Sequence, residues 1–150
     1  MIERRVYWSI DLVAVAVANL TNIAIVVVFL LRTTRIGRLW VGGLVWMALA
    51  LLLAIVVALN IRMRRDWWAT LLPLLLIVFL VVEVALDYVT RYDFRNTALL
   101  VPYLMLYYLS ILGMIGYAFL VRRDYGYVTL ATYFLSQVAA LYSYLKVRHG

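Results

Sequence analysis

Cysteine is absent from this chain, and its single histidine, His149, stands one residue from the end. Without a thiol there can be no disulfide, no thiolate metal site and no cysteine nucleophile. One terminal histidine also excludes paired-histidine haem ligation inside a helical bundle, so neither a metal nor a cofactor is expected. Charge is scarce too, at 14% of residues, where a soluble domain keeps roughly a quarter. Two prolines and seven glycines supply neither a glycine-rich filter nor a pair of proline-broken helices to mark a conduction path.

What fills the chain is apolar: 68% hydrophobic residues and a mean hydropathy of +1.01. The charged residues are gathered into short clusters between long apolar runs, which is how membrane spans and their loops read. A spanning helix needs about 20 apolar residues, and five segments meet that, at 7–31, 39–61, 67–89, 98–121 and 126–146. The expected fold is an all-α integral membrane protein forming a single domain over residues 1–150. Its five transmembrane helices form a bundle with short loops and place the N- and C-termini on opposite faces. The first segment lacks the flanks of a cleavable signal and reads as a span. Links as short as RTTRIGR (32–38), RMRRD (62–66), TRYDFRN (90–96) and RRDYG (122–126) make consecutive helices antiparallel neighbours. Trp8, Trp40, Trp67, Trp68, Tyr88, Tyr92 and Tyr125 fall where aromatic belts are expected.

A net charge of +7 would suggest nucleic acid in a soluble protein. Here no basic soluble segment exists to hold a duplex, and juxtamembrane arginine facing anionic head groups is the reading favoured. The positive-inside rule returns a tie. Arg4, Arg5, Arg62, Arg64, Arg65, Arg122 and Arg123 lie on the N-terminal face; Arg32, Arg35, Arg38, Arg91, Arg95, Lys146 and Arg148 lie on the other. A fixed orientation is favoured over dual insertion as an antiparallel homodimer. RRVYW (4–8), RRDWW (64–68) and RRDYGY (122–127) open the odd-numbered segments, as in a helix-hairpin repeat, although interface chemistry alone selects the same residues. These pairs lean towards a cytoplasmic N-terminus in a prokaryotic cytoplasmic membrane. Partners beyond the bilayer would be a second copy of the chain or a membrane complex.

Helical rotation of about 100° per residue sorts the polar groups. Segment five gathers Thr129, Thr132, Tyr133, Ser136, Gln137, Ala140, Ser143 and Tyr144 on one face, opposite Leu130, Phe134, Val138, Leu141 and Leu145. Lipid cannot satisfy those hydroxyls and amides, so the face must look at protein or water. Segment four carries Tyr103, Tyr107, Ser110 and Tyr117 in a stripe, and segment one carries Asp11, Asn19 and Asn22 with Ala14 and Ala18 between them. Segment two has no strongly polar side chain from Leu39 to Leu59. It is expected at the periphery, with Ala50, Ala54 and Ala58 as its contact seam.

Depth separates the carboxylates of segment three. Between belts at Trp68 and Tyr88, Glu83 lies about 7 Å from the bilayer centre and Asp87 about 13 Å. Asp87 fits an interfacial ion pair with Arg91, four residues on, in a cluster continued by Asp93 and Arg95. Glu83 is too deep and too short to snorkel, so it must point into the bundle. Asp11, three residues inside Trp8, reads as an interfacial cap.

Three functions follow. One is transport or binding of a small solute or ion in a polar intramembrane pocket, or proton coupling there, by Glu83, Asn19, Asn22, Thr132, Tyr133, Ser136, Gln137 and Tyr107. The second is an interfacial enzyme on a lipid head group, using Asp87, Arg91, Asp93 and Arg95. The third is a non-catalytic subunit of a membrane complex. With no histidine, cysteine or recognised nucleophile arrangement in the spans, the balance tips away from catalysis.

Overall fold

The computed structural model describes residues 2–32, 41–90 and 97–149. They form five helices: α1 (Ile2–Arg32), α2 (Val41–Arg62), α3 (Trp67–Val84, continued by one π-helical turn, Ala85–Val89), α4 (Leu100–Val121) and α5 (Arg123–His149). Four stretches, Val6–Leu31, Gly42–Arg62, Trp67–Val89 and Leu100–Val121, are long and apolar enough to cross a membrane. Helix α5 is as long but less apolar, because it carries the densest set of hydroxyl and amide groups.

Each helix packs on its neighbours in sequence, and α1 closes the ring against α5. Contacts fix the directions. The start of α1 meets the α2–α3 turn and the end of α4 through Asp11, Arg65 and Tyr117. The end of α3 meets the start of α4 through Glu83 and Tyr103. Gln137 of α5 bonds Tyr107 of α4, and Gly126 lies under Phe119. Successive helices therefore run antiparallel, and α1 and α5 run parallel. Burial is concentrated on Ala14, Val17, Leu53, Leu76, Leu80, Ile111, Met114 and Tyr117, which fill the ring's interior.

Helix α2 departs from its expected place. It is a full member of the ring and packs extensively on α3. The alanine seam is also wrong, since Ala54 and Ala58 are exposed. The stripe that turns inward is Trp46, Leu49, Ala50, Leu53, Val56, Val57 and Asn60. Larger side chains at three- and four-residue spacing bury more surface and interlock better than alanines alone. At its start, Gly42 and Gly43 take the ring of Tyr88 against their backbone; a Cβ at Gly43 would sit 3.1 Å from the ring carbons. That contact draws Tyr88 into the bundle rather than out to a belt.

The α4–α5 connection is shorter than the loop RRDYG suggested. Only Arg122 is non-helical, in extended backbone, and α5 begins at Arg123. Asp124 then stands in the first turn, where a negative charge is favoured by the helix dipole. It also pairs with Arg122 at 2.7 Å on the exposed surface. The turn is this tight because Gly126 has no side chain: a Cβ there would lie 2.2 Å from Phe119 Cδ1 and 2.3 Å from its Cγ. The second and third arginine pairs are therefore not equivalent, since Arg65 turns into the bundle and Arg122 turns outward.

Gly126→Ala should cost about 1–3 kcal/mol, because the root of the Phe119 ring has to move. Gly116→Ala, with nothing within 4 Å of the added carbon, should be neutral or slightly stabilising through helix propensity. Unfolding of both variants in mixed detergent micelles checks the contrast; equal losses would contradict the packing.

Candidate functional site

The polar side chains inside the bundle fall into three layers. At the end where α1 and α3 begin, Arg65 forms a bidentate pair with Asp11, Nη1 to Oδ1 at 2.7 Å and Nη2 to Oδ2 at 3.1 Å. Tyr117 donates to the same Oδ1 at 2.6 Å, and Arg65 Nη1 also donates to Asn60 Oδ1 at 3.1 Å. The rings of Tyr7 and Trp68 lie 5.2 and 6.0 Å from the guanidinium carbon, within cation–π range. Burial alone would lower the Arg65 pKa; the hydrogen bonds and negative charge of Asp11 outweigh it and hold the guanidinium above its ordinary value.

The local backbone delivers Arg65 to this place. Helix α2 ends with Arg65 N–H on the Asn60 carbonyl (3.0 Å) and Arg64 N–H on the Ile61 carbonyl (3.1 Å), with Arg64 at φ 50°. That is the Schellman arrangement, with arginine where glycine is usual. Left-handed backbone costs a side-chain-bearing residue roughly 1–2 kcal/mol, so the turn stores strain to point Arg65 inward. Asn60 has a second role. Pro73 has no N–H, so the Ala69 carbonyl four residues earlier loses its helical partner. The Asn60 amide donates to that carbonyl at 2.6 Å. Asp11 is thus no interfacial cap: it is a buried carboxylate tying three parts of the chain together.

The second layer joins α1 to α5. Asn19 Nδ2 donates to Thr129 Oγ1 at 3.1 Å, and Thr132 Oγ1 donates to Asn19 Oδ1 at 2.8 Å. Asn22 Nδ2 donates to Thr132 Oγ1 at 3.0 Å. Asn22 Oδ1 is buried with no hydrogen-bond partner. The expected residues Asn19, Asn22 and Thr132 therefore do converge, and Thr129 joins them.

The third layer holds Glu83, which is 7% exposed. Tyr103 donates to its Oε2 at 2.5 Å. The ring of Phe79 lies 5.9 Å from that of Tyr103 and 5.3 Å from that of Tyr107. Beyond them, Gln137 Nε2 donates to the Tyr107 hydroxyl at 2.9 Å. Ser136 donates back to the Tyr133 carbonyl at 2.7 Å, so it is satisfied within its own helix. Glu83 and Tyr107 thus belong to one layer, while Asn19 and Asn22 engage α5 nearer its start. The expected pocket set is divided between two layers rather than gathered around one point.

The face of α5 turns as expected for Thr129, Ser136 and Ser143, which are buried, and for Phe134, Val138 and Leu141, which are exposed. Tyr144 is exposed and Leu130 packs on the core, contrary to expectation. Asp87 is half-buried in the π turn, where Thr90 N–H reaches the Ala85 carbonyl five residues back at 2.9 Å. Arg91, Asp93 and Arg95, and with them the expected interfacial cluster, lie outside the described residues. Among the described residues no group of three histidine, cysteine, aspartate or glutamate side chains could hold a metal ion.

Sequence reasoning overlooked Arg65 and Tyr117 as partners of Asp11, and Asn60 as a partner of Arg65 and of the Ala69 carbonyl. One signal was present: a proline seven residues into an apolar span orphans a carbonyl, and some buried donor has to meet it. Comparison with family models, with curated proteins and with solved structures returned no match. The class of protein is therefore read from the helices themselves: an all-helical bundle of the multi-pass membrane type.

Arg65→Ala would leave Asp11 buried and uncompensated, and should cost about 3–5 kcal/mol. Tyr117→Phe should cost roughly 1–3 kcal/mol, the worth of a hydrogen bond to a charged group. Arg64→Gly, which relieves the left-handed strain, should leave stability unchanged or raise it by up to about 1 kcal/mol. Denaturation in mixed micelles ranks the three; a mild Arg65→Ala would remove the ion pair from its structural role.

Proposed function

We propose that the protein is a five-span membrane protein that binds, and passes, a small solute or cation through its polar interior, with Glu83 as the protonatable group. The observation that carries this reading is the buried Glu83 carboxylate held by Tyr103. A carboxylate at that depth is costly and marks a functional position by default. The span count rests on α5: its low apolarity comes from residues such as Thr129 and Ser136 that face the bundle, while Phe134, Val138 and Leu141 face outward. A helix built that way satisfies lipid on one side and its neighbours on the other.

Exposed Arg62, Arg64, Arg122 and Arg123 lie at the end of the bundle where α1 begins. They support a cytoplasmic N-terminus against anionic head groups, in the cytoplasmic membrane of a prokaryote. Asn19, Asn22 and Thr132 form the second polar station, where the unpartnered Asn22 oxygen is an acceptor for a passing cation or donor.

In proteoliposomes carrying a pH-sensitive dye, sodium, potassium and small-solute gradients should drive proton or cation flux through the intact protein. Glu83→Gln should abolish that flux while circular dichroism and thermal unfolding stay as in the parent. Tyr103→Phe should reduce it without abolishing it. Flux that persists in Glu83→Gln would sink the reading.

A further inference from the structure

Next to the Glu83 layer, where the α4–α5 contact opens to the outside of the bundle at Tyr108, lies a second polar feature. Gln137 of α5 bonds the Tyr107 hydroxyl, and Tyr133 stands one turn before Gln137 on the same side of α5, which brings it beside Tyr107 and its neighbour Tyr108. The Tyr107 and Tyr108 rings pack edge to face at 4.9 Å, and Tyr133 packs against Phe134 at 5.6 Å. Gln137 occupies the Tyr107 hydroxyl. Tyr108 is 40% exposed and Tyr133 half-buried, and the hydroxyls of both lack a hydrogen-bond partner among the described residues.

Position makes this unusual. Tyr108 is eight residues into α4 and Tyr133 ten residues into α5, about 12 Å and 15 Å along their helices at 1.5 Å per residue. Tyrosine at a membrane surface finds water for its hydroxyl. At this depth hydrocarbon offers nothing, and a bare donor is costly. Whatever meets these groups must arrive through the bilayer, present acceptor oxygens on a flat face, and carry an apolar tail. Leu104 and Leu112, four residues either side of Tyr108, are exposed on the same face of α4 and offer a track for such a tail.

We infer that Tyr108 and Tyr133, backed by Tyr107 and Phe134, form a lipid-accessible site for a membrane-soluble quinone-type ring. The two free hydroxyls donate to its carbonyl oxygens and the surrounding rings pack against its face. Binding is the whole of the inference; no electron transfer is implied. It does not rest on Glu83 conducting anything, and the two ideas fail separately.

The test uses the full chain in phosphatidylcholine nanodiscs, titrated with decylubiquinone and followed by quenching of intrinsic fluorescence. Decylbenzene, which has the tail but no carbonyl, is the competitor. Quenching should contain a saturable component of one quinone per chain above the linear partitioning background. Decylbenzene should compete poorly. Tyr108→Phe and Tyr133→Phe should each weaken binding by roughly 2–10-fold, the worth of one hydrogen bond, and the pair by more. Tyr142→Phe, an exposed tyrosine elsewhere on α5, should leave it unchanged, as should Glu83→Gln. Absence of saturation, equal competition by decylbenzene, or full affinity in the double variant would each overturn the site. So would a dimer in size analysis that the double variant dissociates, since the hydroxyls would then belong to a contact between two copies.

Discussion

The Asp11–Arg65 pair is the contact on which the rest of this bundle depends. It joins α1 to the α2–α3 turn, and through Tyr117 it reaches the end of α4. Lipid gives helices no hydrophobic reason to associate, so packing and hydrogen bonds between them must do so. A bidentate ion pair shielded by two aromatic rings sets the relative height of three helices at once. With that end registered, Glu83 meets Tyr103 at the other end of α3 because α3 and α4 run antiparallel side by side. The left-handed backbone at Arg64 is the strain tolerated to achieve this.

The same rule governs the remaining polar groups. Asn60 meets the carbonyl freed by Pro73, and the threonines of α5 meet the asparagines of α1. Among the described residues nearly every buried polar side-chain atom is matched, which makes the exceptions informative. Asn22 Oδ1 and Trp46 Nε1 are buried without partners, and the hydroxyls of the exposed Tyr108 and half-buried Tyr133 have none among the described residues. The first and the last of these are where we propose the interior station and the outward-facing site; for Trp46 the structure offers no physical account.

Much of this was legible in the residues. Apolar runs of about 20 residues located the five helices, four of them long and apolar enough to cross a membrane, and rotation by about 100° per residue turned Ser110, Thr129 and Ser136 inward correctly. Depth along α3 singled out Glu83 and required it to point into the bundle, as it does. Failures came where a partner from another helix decided. Asp11 was assigned to the surface by its distance from Trp8, yet Arg65 reaches in from a turn and removes it from water. Helix α2 was assigned to lipid by its lack of polar side chains, yet Trp46, Leu49 and Leu53 pack inward because shape, rather than polarity, sets the contact.

Composition and periodicity therefore determined by themselves that the chain is a helical membrane bundle, which faces of α1 and α4 and most of the face of α5 look inward, and that Glu83 is buried. These follow from one-body terms: the cost of a polar group in hydrocarbon and the geometry of a single helix. Tertiary structure alone decided which polar group meets which, that α2 is a full member of the ring, and that the polar set divides into layers at different heights. Those are pair terms, fixed by the relative height and rotation of two helices, and no single helix contains that information.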